Sequence, residues 1–194
     1  MSGTARTTST WRLATLGGVA GLAWAASLRS YMWQIGTGHD VTWTGTILTI
    51  LASGAVAGAV LGWAEARRRA GRSAHLRWFA LAPFAFTVAA FARPGQFAAL
   101  LDSGLGSGAI AVPAFAVLGG FALGRAGPRW GRVVAGILAA AGIGVIVSTV
   151  PTVGGDALAL STPRGLWAAI LVGSLMLLAA WAARIPFLPV PEPG

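Results

Sequence analysis

The sequence predicts an all-α fold, a polytopic membrane protein in which six transmembrane helices form one bundle and both termini are cytoplasmic. Three observations support this prediction. Hydrophobic residues make up 56% of the 194 residues and charged residues only 10%, whereas a water-soluble domain carries about 25% charged residues. Six apolar runs are spaced along the chain. The basic residues, all of them arginine, are concentrated in alternate connections between these runs.

Apolar runs of about 20 residues are long enough to cross the hydrocarbon core as helices. Residues 1–12 are predicted to be a cytoplasmic N-terminal segment, residues 13–184 the transmembrane domain, and residues 185–194 a proline-rich cytoplasmic tail. The six predicted spans are, in chain order, Leu13–Leu28, Thr44–Ala66, Ala74–Ala92, Gly106–Leu123, Val133–Val150 and Leu166–Ala183.

The ends of the first two spans are marked by arginine. The first span lies between Arg12 and Arg29. The second ends at the run Arg67–Arg69, with which Glu65 is expected to form an ion pair at the interface. Because arginines in short loops remain cytoplasmic, the orientation with both termini inside is favoured. It places eleven of the 14 arginines inside and leaves three outside.

Prolines mark the third, fourth and fifth spans. Pro83 and Pro113 are predicted to kink their helices, because proline removes one backbone hydrogen bond. The fifth span is predicted to stop at Pro151. Two broken helices in succession occur at the substrate sites of some transporters, but single prolines are also common in transmembrane helices without such a role. Both interpretations remain open at this stage.

Small residues predict where helices pack closely. Gly54, Gly58 and Gly62 recur at every fourth position of the second span, a glycine-zipper pattern that lets two backbones approach each other. This groove is interpreted either as packing within one protomer or as the seam of a homodimer. The other rows of small residues are Gly120 and Gly124 in the fourth span and Gly136, Ala140 and Gly144 in the fifth.

The missing residue types and the net charge limit which functional sites, cofactors and partners are possible. Without Cys there is no disulfide or thiolate metal site, and without Lys there is no Schiff base. We expect no metal and no cofactor, because no metal-ligand spacing occurs and His39 and His75 fall on opposite sides of the predicted membrane. The net charge of +9 is interpreted as a topology signal that contacts anionic lipid headgroups. Membrane lipids, rather than nucleic acid, are therefore the expected partners, with a second copy or another membrane subunit as a further possibility.

The connections on the predicted outer side contain the candidate site. Carboxylates are general acids or bases, and arginines clamp anionic headgroups or phosphate. The alternative is that these charges only hold the helix ends at the interface. The catalytic candidates are Asp40 and Asp102, and the binding candidates are Arg29, Tyr31, Trp33, His39, Trp43 and Arg93.

The first of these connections also carries a resemblance. Arg29-Ser30-Tyr31-Met32, followed by Val41-Thr42-Trp43-Thr44-Gly45-Thr46-Ile47, resembles a group of uncharacterised actinobacterial multipass membrane proteins over residues 1–70. The resemblance implies that Arg29, Met32, Trp43 and Gly45 form one local structural unit, and it implies no biochemical role. Thr44 and Gly45 suit a helix N-cap and a close backbone approach.

The sequence thus predicts a non-enzymatic protein of the plasma membrane, either a transport or lipid-binding module or a membrane subunit of a larger complex. The alternative is a membrane-embedded enzyme that acts on a lipid or isoprenoid at the outer leaflet through Asp40, Asp102 and the arginines. A pore is least favoured, because few polar residues are available to line it.

Overall fold

Helix is the main secondary structure in the described part of the chain, and short turns and irregular segments connect the helices. The computed structural model describes residues 3–36, 41–72, 74–92, 95, 97–98 and 108–191, which form six helices and no strand. The predicted all-α class is therefore confirmed, and each predicted span overlaps one helix. The helices are α1 (Gly3–Gln34), α2 (Trp43–Arg69), α3 (Leu76–Phe91), α4 (Gly108–Leu123), α5 (Arg129–Gly154) and α6 (Pro163–Ala183).

Three of these helices, α2, α5 and α6, are long and apolar enough to cross a membrane. The shortest, α6, has 21 residues, which corresponds to about 30 Å at 1.5 Å per residue, the thickness of the hydrocarbon core. Helices α3 and α4 are apolar but shorter. Helix α1 has 32 residues and extends beyond the predicted Leu13–Leu28 at both ends, so it also includes polar residues and Arg12 and Arg29.

Successive helices run in opposite directions. Leu13 near the start of α1 lies against Gly62 near the end of α2. The indole nitrogen of Trp24 on α1 donates a hydrogen bond of 2.8 Å to the carbonyl of Leu175 on α6. The chain after α6 then returns to the end of α2, where Arg68 donates to the Pro189 carbonyl at 2.9 Å. The start of α1 and the end of α6 therefore lie at the same end of the bundle.

We name the two ends of the bundle by their charge. The arginine-rich end is where α2 finishes and α3 begins, and the other is the opposite end. Among the described side chains, the opposite end holds Arg29 and Arg164. The arginine-rich end holds Arg12, Arg67, Arg68, Arg69, Arg72, Arg77, Arg125, Arg129, Arg132 and Arg184.

Helices α1 and α2 are in direct backbone contact. A methyl group added at Gly58 would overlap the carbonyl oxygen of Gly17, and one added at Gly62 would overlap that of Leu13. Gly54 faces Gly21 in the same way. The row of glycines on α2 thus packs against α1 of the same chain, so that face is occupied within the protomer.

Helix α4 packs through glycine on two neighbours. Gly120 leaves no room for a side chain against the backbone of Ala183 on α6. Gly142 of α5 lies against the ring of Phe115 on α4. The row of small residues predicted to pack on α5 is not its buried face, because Gly144 has open space and Ala140 is exposed. The buried face of α5 instead carries Ala135, Ala139, Gly142 and Val150, since the helix presents a neighbouring stripe to the bundle.

The prolines act differently from one another. Pro113 cannot donate to the carbonyl of Ala109, four residues earlier, and that oxygen instead accepts a 2.6 Å hydrogen bond from the hydroxyl of Thr87 on α3. Pro83 lies near the end of a 3₁₀ stretch, Leu76–Phe84, after which α3 continues as an α-helix. Pro151 does not stop α5, which continues to Gly154. The predicted end at Val150 is therefore wrong.

Candidate functional site around Arg29

Arg29 joins α1 to the first turns of α2 at the opposite end of the bundle. Its Nε donates to the hydroxyl oxygen of Thr46 at 3.4 Å, and its guanidinium carbon lies 5.9 Å from the centre of the Trp33 ring. Thr46 is buried, with 5% of its surface exposed. A half-buried guanidinium is thereby held between a hydroxyl and an aromatic ring, an arrangement that orients the charge.

The start of α2 has an unusual helical geometry that positions Thr46. Residues Trp43–Ala52 form a π-helix, and the α-helix proper begins at Ser53. The N-cap is Thr42, whose hydroxyl accepts from the backbone N–H of Gly45 at 2.9 Å. The predicted cap at Thr44 is therefore displaced by two residues, because it is Thr42 that has the extended backbone an N-cap requires.

Hydroxyl groups near the start of α2 make hydrogen bonds within that helix. The Thr46 oxygen also accepts from the backbone N–H of Thr42 at 3.3 Å. Ser53, which is 4% exposed, donates to the carbonyls of Thr49 at 2.5 Å and Ile50 at 2.9 Å. These bonds satisfy polar groups inside the helix, which apolar surroundings require.

Three of the predicted binding residues have side chains with very different surroundings. Trp33 is 48% exposed and Trp43 is 80% exposed, which is consistent with a position at the rim. Tyr31 is only 5% exposed. It packs in an apolar cluster with Ile35, Val150 and Met176, so it supports the ends of α1, α5 and α6 and does not face a cup. Tyr31 and Trp33 lie two positions apart, on different sides of α1.

The remaining candidates, His39, Asp40, Arg93 and Asp102, lie outside the described residues. On the described part of this end, Arg164 donates to the carbonyl of Gln34 at 3.4 Å. This bond ties the start of α6 to the end of α1. Within the same described ranges, no three His, Asp or Glu residues lie close enough together to hold a metal ion.

Thr46 is the residue that the sequence analysis did not single out. A signal was present, because Thr42, Thr46, Thr49 and Ser53 are spaced by four, three and four residues and hence share one side of a helix. In an apolar helix such a row indicates polar contacts made away from lipid. The row leads from the exposed cap to the buried Ser53.

At the arginine-rich end, the run Arg67–Arg69 is engaged inside the protein. Glu65 accepts from Arg68 at 2.7 Å and from Arg69 at 2.6 Å, so the predicted ion pair is confirmed for these two arginines. Arg67 instead lies over the rings of Trp63 and Phe79, at 5.8 and 5.9 Å from their centres. These contacts fix the junction between α2 and α3.

The segment after α6 packs across this end. The Phe187 carbonyl accepts from the backbone N–H of Arg125 at 2.9 Å, and the Phe187 ring meets Phe121 edge to face at 5.4 Å. Arg68 holds the Pro189 carbonyl as described above. The first residues of the predicted tail are therefore part of the folded bundle.

Tryptophans separate into two groups along the bundle axis. Trp24 lies inside, where its indole bonds to α6. The other eight are between 43% and 80% exposed. Tryptophan is enriched at both interfaces of membrane proteins, and rings at two levels are consistent with that distribution. The exposed tryptophans are Trp33, Trp43 and Trp167 at the opposite end, and Trp11, Trp63, Trp78, Trp130 and Trp181 at the arginine-rich end.

Comparison with known proteins finds no relative: no protein family, no curated protein sequence and no solved structure matches this chain.

Proposed function

We propose that this chain is a multipass protein of the plasma membrane that works as a non-enzymatic, lipid-binding helical module. All six helices span the bilayer in this proposal, and the arginine-rich end faces the cytoplasm. The orientation is supported by the arginines, because ten of the described arginines lie at one end and two at the other. The placement across the bilayer is supported by the exposed tryptophans, which lie at both levels.

One observation favours lipid binding over transport of a polar solute. Among the described residues, the buried polar side chains are two hydroxyl groups, those of Thr46 and Ser53, and both are bonded within or beside their own helix. A path for a polar solute requires polar groups across the bundle. The flanks of the helices are apolar and exposed instead, as at Val56, Ile137 and Leu177, which suits contact with acyl chains or a partner helix.

The alternative function, an enzyme that acts on a lipid or isoprenoid at the outer leaflet, depends on Asp40 and Asp102. Arg29 would supply the anion-binding group in that case, because a guanidinium beside a hydroxyl suits a phosphate or a headgroup. Thr46 and Trp33 supply a hydroxyl group and an aromatic ring beside Arg29. This arrangement supports holding a headgroup.

Reconstituted wild-type protein and three variants separate these functions. We expect wild-type protein in vesicles of bacterial lipid extract to leave the lipid composition unchanged by mass spectrometry. Asp40→Asn should behave identically. Arg29→Ala should change the free energy of unfolding by less than about 1 kcal/mol, because the contacts of Arg29 with Thr46 and Trp33 lie at the half-exposed end of the bundle. Arg164→Ala, at the same end, is the matched control for loss of charge.

Lipid turnover by the wild type that disappears in Asp40→Asn would contradict the non-enzymatic function and establish the enzyme. Loss of bound lipid in Arg29→Ala, with the Arg164→Ala control retaining it, would support a headgroup site at Arg29.

A further inference from the structure

Arginine and tryptophan occur together at the arginine-rich end in two different arrangements. On α2 and α6, which end there, the arginine follows the tryptophan by one turn and folds back over its ring. Arg67 lies 5.8 Å from the centre of Trp63, and Arg184 lies 3.2 Å from that of Trp181. These arginines are occupied by contacts within the protein.

On α1, α3 and α5, which run away from that end, the two residue types are adjacent in sequence. The pairs are Trp11-Arg12, Arg77-Trp78 and Arg129-Trp130. All six side chains are exposed, and the three indoles are 74%, 71% and 72% exposed. The side chains of these three arginines make no hydrogen bond or ion pair with any described residue.

Adjacent residues differ in direction by about 100° on an α-helix and by about 120° on a 3₁₀-helix. An indole and a guanidinium next to each other therefore leave the helix at one level without stacking. An indole is favoured at the headgroup level of a bilayer. There it would hold its neighbouring arginine beside the lipid phosphates. A guanidinium binds phosphate through two parallel N–H donors, and the excess of arginine at this end favours an anionic lipid over a zwitterionic one.

We propose that these three pairs bind the headgroups of anionic phospholipids in the leaflet at the arginine-rich end. The proposal rests on the proposed membrane orientation and deepens it by naming the residues and the class of lipid. In this proposal the arginines of this end have two different roles. Arg67, Arg68 and Arg184 hold the fold, while Arg12, Arg77 and Arg129 meet lipid.

The chain provides a matched control for this division. Arg72 and Arg125 are exposed at the same end and also lack a described side-chain partner, but neither has a neighbouring tryptophan. The test variant is Arg77→Gln/Arg129→Gln, and the control is Arg72→Gln/Arg125→Gln, which removes the same charge. A third variant, Trp78→Leu/Trp130→Leu, keeps every charge and removes the indoles.

Purified full-length protein in a zwitterionic detergent is titrated with phosphatidylglycerol, and lipid binding is followed by native mass spectrometry. We expect the test variant to bind about 25-fold more weakly, about fivefold for each charge at the membrane surface, and the indole variant to be weakened as well. The control should change by less than about fivefold, because its arginines are not held at the phosphate level. Phosphatidylcholine and free glycerol phosphate should bind much more weakly to the wild type.

Equal weakening of the test and control variants would overturn the role of the pairs, since charge alone would then explain binding. Full binding by the indole variant would do the same. Equal affinity for phosphatidylcholine would overturn the preference for anionic lipid, and equal affinity for glycerol phosphate would identify a soluble phosphate site in place of a lipid site. Each of these results leaves the membrane orientation standing, because that is measured separately by reporters on the termini and loops.

Discussion

Gly58→Leu is expected to separate α1 from α2 and to prevent recovery of a folded, monodisperse protein. Position 58 lies where α2 touches the backbone of α1, and even one added carbon would overlap the Gly17 carbonyl. Overpacking costs about 1–3 kcal/mol where side chains can move. Here the obstacle is backbone, so we expect a loss of about 3 kcal/mol or more. Yield and melting temperature in mild detergent measure it.

The control for Gly58→Leu must lie on the lipid-facing side of α2. The neighbouring Ala57 is only 7% exposed and is therefore unsuitable. Val56 is 55% exposed, and Val56→Leu should change stability by less than about 0.5 kcal/mol. A folded Gly58→Leu protein with the melting temperature of Val56→Leu would show that the two helices do not pack at this face.

Gly120→Ala is expected to be the second most damaging change, and it tests the packing of α4 on α6. The added methyl group would meet the carbonyl carbon of Ala183 at 2.5 Å and its oxygen at 2.6 Å. We expect a loss of about 1–3 kcal/mol in the free energy of unfolding. Thermal unfolding followed by intrinsic tryptophan fluorescence in detergent measures it.

Gly144→Ala is the matched control, because it makes the same change in a helix interior where nothing lies within 4 Å of the added carbon. It should be neutral or stabilise the protein by up to about 1 kcal/mol, since alanine is the better helix former. If Gly120→Ala proved as stable as Gly144→Ala, α4 and α6 would not be in contact at Ala183.

The helices were predictable because apolar runs separated by arginine and proline leave few alternatives. The predictions for α5 were wrong in two respects, the position of its end and the choice of its buried face. Pro151 was expected to end α5, but a proline removes only one backbone bond, and the helix continues for one more turn to Gly154. The buried face of α5 was misplaced because its small residues occur on more than one side, and only packing against Phe115 selects Gly142.

The candidate site was predictable only in part. Arg29 and Trp33 are drawn together because they are four residues apart on one helix, a spacing visible in the sequence. Tyr31 was predicted to be a binding residue because it lies in the first outer connection. The Tyr31 side chain instead points from α1 into the apolar cluster that contains Met176. Which side of α1 is buried in this way depends on the positions of α5 and α6. The π-helix that positions Thr46 has no recognised sequence signal of its own.

A pair of topology reporters measures which side of the membrane the arginine-rich end faces. One reporter is inserted at Gly71, in the exposed turn between α2 and α3 where an added carbon has nothing within 4 Å, and the other is fused after Gly194. We expect a reporter that is active only in the cytoplasm to be active at both positions, and one that is active only outside to be silent at both. An external signal from either position would contradict the six-span arrangement with both termini in the cytoplasm.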